Sequence, residues 1–266
     1  MQKRVDFYSD LAKCVKVFNE GRIEIMIVEG SAGAGKSSMI KHSIKDIPTD
    51  GYCWIEGRIS AVCLYDKLYL YRGLPIFIDD ADGLYKDRQC INLLKCLCQT
   101  EKVKTLMWNT QNLKSESPKE FQTESKVCLI TNSWRNLNKH IGAIEDRGLL
   151  ITFNPSAQEV HDHVKTIPSV FDQDIYDFIG SFLGIIKVPS IRHYRNALQL
   201  KGSDLDWKEI LIESFGATRN EACVLKLRPL EVSENQKAKL FAEMLTLSER
   251  SYWRTKKELE DCGIKF

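Results

Sequence analysis

The sequence predicts an α/β fold in which a parallel sheet lies between layers of helices. Apolar segments of strand length alternate with longer segments of helical periodicity. The apolar segment Ile23 to Val28 leads into a glycine-rich stretch, and the apolar segment Ile76 to Ile78 leads into two aspartates. The second segment follows the first by about 50 residues, which is the spacing expected of one strand-helix-strand unit.

Composition limits the classes of protein to consider. The chain has 266 residues, with 38 Lys and Arg against 36 Asp and Glu, so its net charge is +2 and any contact with nucleic acid must be local. No apolar stretch approaches the ~18 residues of a membrane span, and the first residues contain no apolar signal core. We therefore expect a cytoplasmic protein without membrane contact. Cys96 and Cys98 lack a second cysteine pair, which favours core packing over metal binding.

The glycine-rich stretch has the pattern G-x-x-x-x-G-K-S of a phosphate-binding loop. Successive backbone N–H groups must curl around phosphates, and only glycines and small residues allow this. Lys36 is then expected to contact the β- and γ-phosphates, and the Ser37 hydroxyl to bind Mg²⁺. The alternative is a glycine-rich loop without this function. The predicted nucleotide-binding residues are Gly30, Ser31, Ala32, Gly33, Ala34, Gly35, Lys36, Ser37 and Ser38.

The two aspartates supply the second half of a nucleotide-hydrolysing site. Asp79, at the strand tip, is expected to bind Mg²⁺ through its water shell, together with Ser37. Asp80 is expected to polarise the attacking water. The alternative is an acidic surface turn.

The remaining strands complete a predicted parallel five-stranded sheet. They are residues 52–55, residues 127–131, which end at Asn132, and residues 149–153. Helices are expected at 5–19, 60–71, 87–99 and 134–145. A half-exposed strand pattern near residues 103–108 and a polar stretch after it indicate an inserted hairpin or loop at about 102–126.

Three regions are predicted. Residues 1–154 form the nucleotide-binding αβα domain, residues 155–202 a small helical unit, and residues 203–266 a C-terminal helical region. The last region closes with segments 235–244 and 249–260, joined by a short turn. This arrangement resembles a helix-turn-helix, and a plain helical hairpin is the alternative. The candidate DNA contacts of the closing segment are Arg250, Arg254, Lys256 and Lys257.

The ordered motifs GSAGAGKS and IFIDD, a strand ending in Asn132, an arginine before the last strand and a helical lid resemble the AAA+ branch of P-loop ATPases. The resemblance implies that Asn132 is the sensor 1 residue that orients the attacking water. It implies that Arg147 is the arginine finger donated to a neighbouring subunit, and that Arg192 is the sensor 2 arginine, with Arg195 as its rival. Asn132 could instead cap the following helix, and Arg147 could pair with an adjacent acid on the surface.

One position departs from the family pattern. The family's catalytic acid is usually glutamate, whereas Asp80 is one methylene shorter. Slow hydrolysis or assistance from Asp82 would be consistent with this difference.

The insertion resembles the pre-sensor-1 hairpin of an AAA+ group that includes hexameric helicases and branch-migration motors, in which it lines the pore of a ring. An ordinary surface loop is the alternative. The whole arrangement also resembles uncharacterised ATPases of phages, plasmids and other mobile elements. The candidate DNA contacts of this hairpin are Lys102, Lys104, Trp108, Lys114 and Lys119.

The resemblance implies an enzyme that hydrolyses ATP with Mg²⁺ between the subunits of a ring or spiral homo-oligomer, with six subunits expected. DNA or a DNA-bound complex is the expected object of its work, as in a helicase, a helicase loader or a transposition or replication ATPase. The alternative is a protein-remodelling or regulatory ATPase whose C-terminal helices dock a protein partner. A nucleotide or small-molecule kinase explains Asn132 and Arg147 less well.

Overall fold

The chain folds into two compact units, Met1–Asn154 and Pro155–Phe266. The structure is a computed structural model that describes residues 1–81, 83–108, 117–134 and 142–266.

The first unit contains the strands and the phosphate-binding loop. Its strands are β1 (Gln2–Val5), β2 (Ile25–Glu29), β3 (Cys53–Glu56), β4 (Ile76–Asp79), β5 (Lys104–Met107), β6 (Glu120–Thr123), β7 (Val127–Thr131) and β8 (Leu149–Phe153). Its helices are α1 (Tyr8–Asn19), α2 (Lys36–Ser43), α3 (Ala61–Leu70), α4 (Arg88–Leu97) and α5 (Gly142–Glu145).

Six strands form one sheet in the order β1-β8-β2-β7-β4-β3, and every neighbouring pair is parallel. Every residue of β4 and β7 is buried, and because side chains alternate between the two faces along a strand, both faces of the sheet are covered. On one face Phe18 of α1 meets Phe77 of β4, with ring centroids 5.7 Å apart. On the other face Ile25 and Ile27 of β2 join a core built from α3 and α4. The predicted αβα sandwich is confirmed.

The predicted count of five strands is wrong by one. Residues 2–5 form an edge strand that pairs with β8, and the first helix begins at Tyr8 rather than at residue 5. In β1 only Val5 is buried. An edge strand held mainly by backbone hydrogen bonds leaves no apolar alternation in the sequence, so the pattern could not reveal it.

The inserted hairpin is confirmed as the antiparallel pair β5 and β6. One of its faces packs against α3, where Tyr65 contacts Trp108 and Phe121 at centroid distances of 5.8 and 5.2 Å. The predicted contact Lys114 lies outside the described residues.

Two predicted DNA contacts of the hairpin are wrong. Lys104 is fully buried, and its ammonium donates to Glu24 at 3.1 Å and to the Ser125 carbonyl at 2.8 Å. Trp108 is only 9% exposed, so its indole is not available to stack on bases. Their alternating positions mark the face of the ribbon that packs on the domain, and the sequence could not distinguish that face from the outer one.

The second unit is helical. Its helices are α6 (Ala157–Val164), α7 (Gln173–Gly180), α8 (Ile191–Leu200), α9 (Trp207–Ser214), α10 (Arg219–Leu227), α11 (Glu234–Leu245) and α12 (Glu249–Asp261), with a 3₁₀ turn at Leu183–Ile185. His161 of α6 stacks on Tyr176 of α7 at 3.7 Å and hydrogen-bonds Tyr194 of α8 at 2.7 Å. Among the helices described in this structure, none has both the length and the apolar character needed to cross a bilayer.

Helices α11 and α12 are joined by a short turn in which Thr246 adopts a left-handed conformation, with φ of 57°. The buried Tyr252 and the mostly buried Lys256 of α12 both donate to Glu234 of α11, at 2.9 and 2.6 Å. The prediction that Lys256 contacts DNA is therefore wrong, because its ammonium is bound to Glu234 between α11 and α12. Arg250, Arg254 and Lys257 are exposed.

The buried position of Lys104 predicts a structural role. We expect Lys104→Ala to lower the free energy of unfolding by about 1–3 kcal/mol, because the buried Ser125 carbonyl loses its charged donor. Urea unfolding measures this loss. The control is Lys119→Ala on the exposed side of the same hairpin, for which we expect a change within about 0.5 kcal/mol. Unchanged stability of Lys104→Ala together with weaker DNA binding would contradict the structural role.

Candidate nucleotide-binding site

The phosphate-binding loop joins the end of β2 to the start of α2, and its glycines are required by its shape. Gly33 and Gly35 have φ of 80° and 82°. This is the left-handed region of backbone conformation, which residues other than glycine rarely adopt. A Cβ on Gly30 would lie 2.3 Å from the Phe153 carbonyl oxygen of β8. Substitutions at these positions would therefore distort the loop.

The first turn of α2 has the features of an anion site. Gly35 occupies the N-cap position without any side-chain cap, and the first turn contains no acidic residue. The N–H groups at a helix start lack partners within the helix, and the helix dipole favours negative charge there. The remaining predicted loop residues, Ser31, Ala32, Ala34 and Ser38, lie in this loop and first turn.

Lys36 lies at the base of the loop and is 6% exposed. Its ammonium donates to the Gly30 carbonyl at 2.8 Å, to the Ser31 carbonyl at 3.0 Å and to Asn132 Oδ1 at 3.1 Å. These three acceptors are neutral, and phosphate oxygens can replace them with stronger charge-assisted bonds.

Ser37 and Asp79 form the candidate metal site. The Ser37 hydroxyl donates to Asp79 Oδ1 at 2.8 Å, and Asp79 is 3% exposed. Burial raises the pKa of the Asp79 carboxyl, while the bond from Ser37 opposes that shift and the nearby Asp80 adds to it. A desolvated carboxylate beside a hydroxyl fits Mg²⁺, which takes few protein ligands and completes its shell with water and phosphate oxygens.

Asn132 connects the loop to the second aspartate. Its amide nitrogen donates to Asp80 Oδ1 at 3.2 Å, while its oxygen accepts from Lys36. The sheet order explains this contact, because β7, which ends just before Asn132, lies between β2 and β4. The sequence-predicted residues Lys36, Asn132 and Asp80 are therefore in one chain of hydrogen bonds.

The backbone gives a physical reason for aspartate at position 80. Asp80 has φ of 45°, and its N–H donates to the Ile130 carbonyl of β7 at 3.3 Å. Asp and Asn tolerate this left-handed conformation much better than other residues with side chains. The departure from glutamate therefore accompanies a sharp turn that aims the shorter carboxylate at Asn132.

Tyr8 is a site residue that the sequence analysis missed. Its hydroxyl donates to the Ala34 carbonyl of the loop at 2.7 Å, and its ring packs edge-on against Phe153 at 5.1 Å. Tyrosine at the start of a helix has no distinctive pattern, so the sequence contained no signal for this contact.

The predicted arginines lie apart from the loop or in the other unit. Arg147 is exposed just before β8, at the edge of the sheet opposite the loop, and donates to the Lys95 and Cys98 carbonyls at 3.3 and 3.4 Å. Arg192 and Arg195 are exposed on α8 in the helical unit, and neither forms an ion pair within the described residues. Their roles stay predictions.

No protein-family model and no curated protein matches the chain. Among solved structures, a RuvB mutant from Thermotoga maritima is similar, at 13% identity and a TM-score of 0.48 over 92% of this chain and 85% of that chain. Domain III of the T. maritima replication initiation protein DnaA gives 14% identity and a TM-score of 0.48, over 78% of this chain and 90% of that chain. NtrX from Brucella abortus, in complex with ATP, gives 10% identity and a TM-score of 0.44, over 94% of this chain and 67% of that chain.

Likenesses this distant leave the chemistry to be deduced from the residues of this chain. The sheet and loop have the P-loop architecture that the AAA+ resemblance implies. The finer resemblance to ATPases of phages and mobile elements stays a prediction.

Burial of the Asp79 carboxylate, which the metal site needs in its charged form, is expected to lower the stability of the fold at neutral pH. Because burial raises the pKa of Asp79, its carboxyl binds a proton more tightly in the folded state than in the unfolded state. The protonated carboxyl therefore stabilises the fold at low pH, and this contribution is lost as pH rises through the raised pKa. Asp79→Asn removes the charge and keeps an acceptor for Ser37. We expect its melting temperature without nucleotide at pH 7 to exceed that of the wild type by about 2–4 °C. Calorimetry should show the difference shrinking as pH falls, because the raised pKa lets the Asp79 carboxyl take up its proton in the folded state. A lower melting temperature at pH 7 would contradict this account.

Proposed function

We propose that the chain is a Mg²⁺-dependent ATPase of the AAA+ type, which hydrolyses ATP between the subunits of a ring or spiral and acts on DNA or a DNA-bound complex. The observation that carries the proposal is the chain of contacts from Lys36 through Asn132 to Asp80, beside the Ser37–Asp79 pair. A loop that only bound phosphates would need neither Asn132 nor Asp80 in this arrangement.

Binding is the task of the loop. The N–H groups of residues 30–38 and the Lys36 ammonium would hold the phosphates of ATP. Ser37 and Asp79 would hold Mg²⁺, which supplies positive charge against the phosphate oxygens. The present contacts of Lys36 with two loop carbonyls show that its ammonium reaches the loop itself.

Hydrolysis is the task of Asp80 and Asn132. Both side chains are exposed at the carboxyl edge of the sheet, so a water molecule can reach them. In the proposed reaction, the Asp80 carboxylate accepts a proton from the water that attacks the γ-phosphorus, and ADP leaves with the former bridging oxygen. Asn132 fixes the direction of Asp80 and contacts Lys36, so the groups that bind phosphate and the group that activates water are mutually aligned.

Asp80→Asn tests this assignment. Asparagine tolerates the left-handed backbone at least as well as aspartate, so we expect the variant to fold and to bind ATP. Removal of the base should lower kcat by about 10²–10⁴-fold. Phosphate release measures turnover, and fluorescence titration with a non-hydrolysable analogue measures binding. Wild-type turnover in Asp80→Asn would remove Asp80 from this role. Transfer of phosphate to a small acceptor by the wild type would favour a kinase instead.

Assembly between subunits is proposed from the position of Arg147. This residue precedes β8, whose last residue contacts the loop at Gly30. Five strand residues span roughly 16 Å at ~3.3 Å each, so Arg147 is too far from the loop of its own subunit to act there. It is exposed and therefore available to a neighbouring site. Arg192, or Arg195 one turn further, is the proposed arginine of the helical unit that responds to the γ-phosphate.

Mixing two inactive variants tests sharing of the site. We expect Arg147→Ala to bind ATP and to lose most turnover, because its neighbour lacks the cation that offsets transition-state charge. When Arg147→Ala is mixed with Asp80→Asn, about a quarter of randomly formed interfaces combine an intact Asp80 with an intact Arg147. Turnover should therefore return on mixing. A mixture as inactive as its components, or a protein monomeric with every nucleotide by light scattering, would contradict a shared site.

The proposal that the protein acts on DNA rests on the exposed face of α12. Arg250, Trp253, Arg254 and Lys257 are exposed and spaced at i, i+3, i+4 and i+7, so they share one face of the helix. Only Arg254 has a carboxylate near it, Glu258 at 3.8 Å, within the described residues. Cations can neutralise phosphates on this face, and the indole can stack on bases.

DNA titrations at several salt concentrations test this face. We expect the double variant Arg250→Ala and Arg254→Ala to bind duplex or single-stranded DNA more weakly and to reduce the salt slope by about 1–2. The control is Lys239→Ala, an exposed cation on α11, which should match the wild type. ATPase rates with single-stranded DNA, duplex DNA and RNA then show which polymer stimulates turnover.

The alternative function, protein remodelling or regulation, is favoured by a specific feature of the same region. Leu240, Met244 and Leu247 are 36%, 54% and 42% exposed along α11 and the turn after it. A contiguous exposed apolar surface is typical of a site for a protein partner, and these three side chains are its candidates here. Intact ATPase activity without DNA binding at low salt would place this alternative first.

A further inference from the structure

Glu29 is a charged residue at an unexpected position, the last residue of the central strand β2 and the one directly before Gly30. It pairs in register with Thr131 of β7 and Thr152 of β8. A carboxylate here adds negative charge next to a loop that binds phosphates. The hydrogen bonds of this carboxylate indicate what it does there.

Both oxygens of the Glu29 carboxylate accept hydrogen bonds, one from strand β8 and one from the segment that follows β7. Oε1 accepts from the Thr152 hydroxyl at 2.9 Å, and Oε2 accepts from the backbone N–H of Trp134 at 3.2 Å. One side chain thus ties the start of the phosphate loop to β8 and to the segment that follows β7.

The segment held by Glu29 contains Asn132. Trp134 is 1% exposed, and its ring meets Tyr85 edge-on at 5.7 Å, so the end of the segment is anchored in the core. Two residues earlier, Asn132 contacts Lys36 and Asp80. Glu29 and Asn132 also line the same cleft of about 330 Å³ beside Gly30 and Ser31.

We propose that Glu29 is a positioning residue, which holds the 132–134 segment against the phosphate loop so that Asn132 stays between Lys36 and Asp80. The proposal rests on the proposed ATPase function. Glu29 acts through hydrogen-bond geometry, since its two oxygens accept from Thr152 and from the Trp134 N–H, and the base of the proposed reaction is Asp80. It contributes to kcat and little to ATP affinity, since the loop and Lys36 bind the phosphates without it.

Three variants distinguish geometry from charge. Glu29→Ala removes both bonds, and we expect kcat to fall about 10–100-fold while the Kd for a non-hydrolysable ATP analogue changes less than about 3-fold. Glu29→Gln can accept from Trp134 with its carbonyl and donate to Thr152 with its amide, so kcat should stay within about 3-fold of the wild type. Thr152→Val breaks only one bond, and kcat should fall by less than about 5-fold.

The matched control is Glu56→Ala. Glu56 ends β3 at the same edge of the sheet, is exposed, and bonds only Lys41, at 3.2 Å, within the described residues. Its kcat should match the wild type within about 2-fold. Thermal unfolding shows whether each variant is folded, and Glu29→Gln with Thr152→Val keeps the test available if Glu29→Ala does not fold.

A readout without turnover separates this inference from the ATPase proposal. The side-chain amide signals of Asn132 in a ¹⁵N–¹H spectrum should shift in Glu29→Ala and keep their wild-type positions in Glu29→Gln and Glu56→Ala. Unchanged kcat and unchanged Asn132 signals in Glu29→Ala would overturn the positioning role. Glu29→Gln as inactive as Glu29→Ala would also overturn it, because charge rather than geometry would then matter. An inactive wild type whose Asn132 signals follow this pattern would reject the ATPase function alone.

Discussion

The side chain of Asn132 is the contact on which the candidate site depends. Its oxygen accepts from Lys36 and its nitrogen donates to Asp80, so one amide joins the phosphate-binding loop to the carboxylate strand. An amide has a donor and an acceptor at fixed separation, and a charged side chain could not contact an ammonium and a carboxylate equally well. The sheet order makes the contact possible by placing β7 between β2 and β4.

Much of the site could be predicted because its residues lie at or after the ends of apolar strands. Asp79 ends β4 and Asn132 follows β7, and such buried strands are visible as short apolar segments. Lys36 lies beyond the end of β2, at the start of α2, and is identified by the glycine-rich pattern before it. The left-handed backbone of Asp80 and the tie from Tyr8 to the loop could not be predicted, since both depend on contacts between residues distant in sequence.

The errors in the sequence analysis have a common physical origin. The edge strand β1 is held mainly by backbone hydrogen bonds to β8, which leave no trace in side-chain pattern. Lys104 and Trp108 suggested DNA binding by their chemistry, yet they lie on the inner face of a two-stranded ribbon. Period-two alternation identifies two faces but does not say which one is buried, and only the packing of Tyr65 and Phe121 decides it.

The central claim is that Asn132 and Asp80 work as one unit, in which Asn132 fixes the direction of the carboxylate that activates water. A double-mutant cycle measured by single-turnover ATP hydrolysis tests it most directly. The rates of Asn132→Ala, Asp80→Asn and the double variant are compared with the wild type at saturating ATP. If the two side chains form one unit, the double variant should be about as slow as the slower single variant. Losses that multiply would mean that the two residues act independently and would contradict the account.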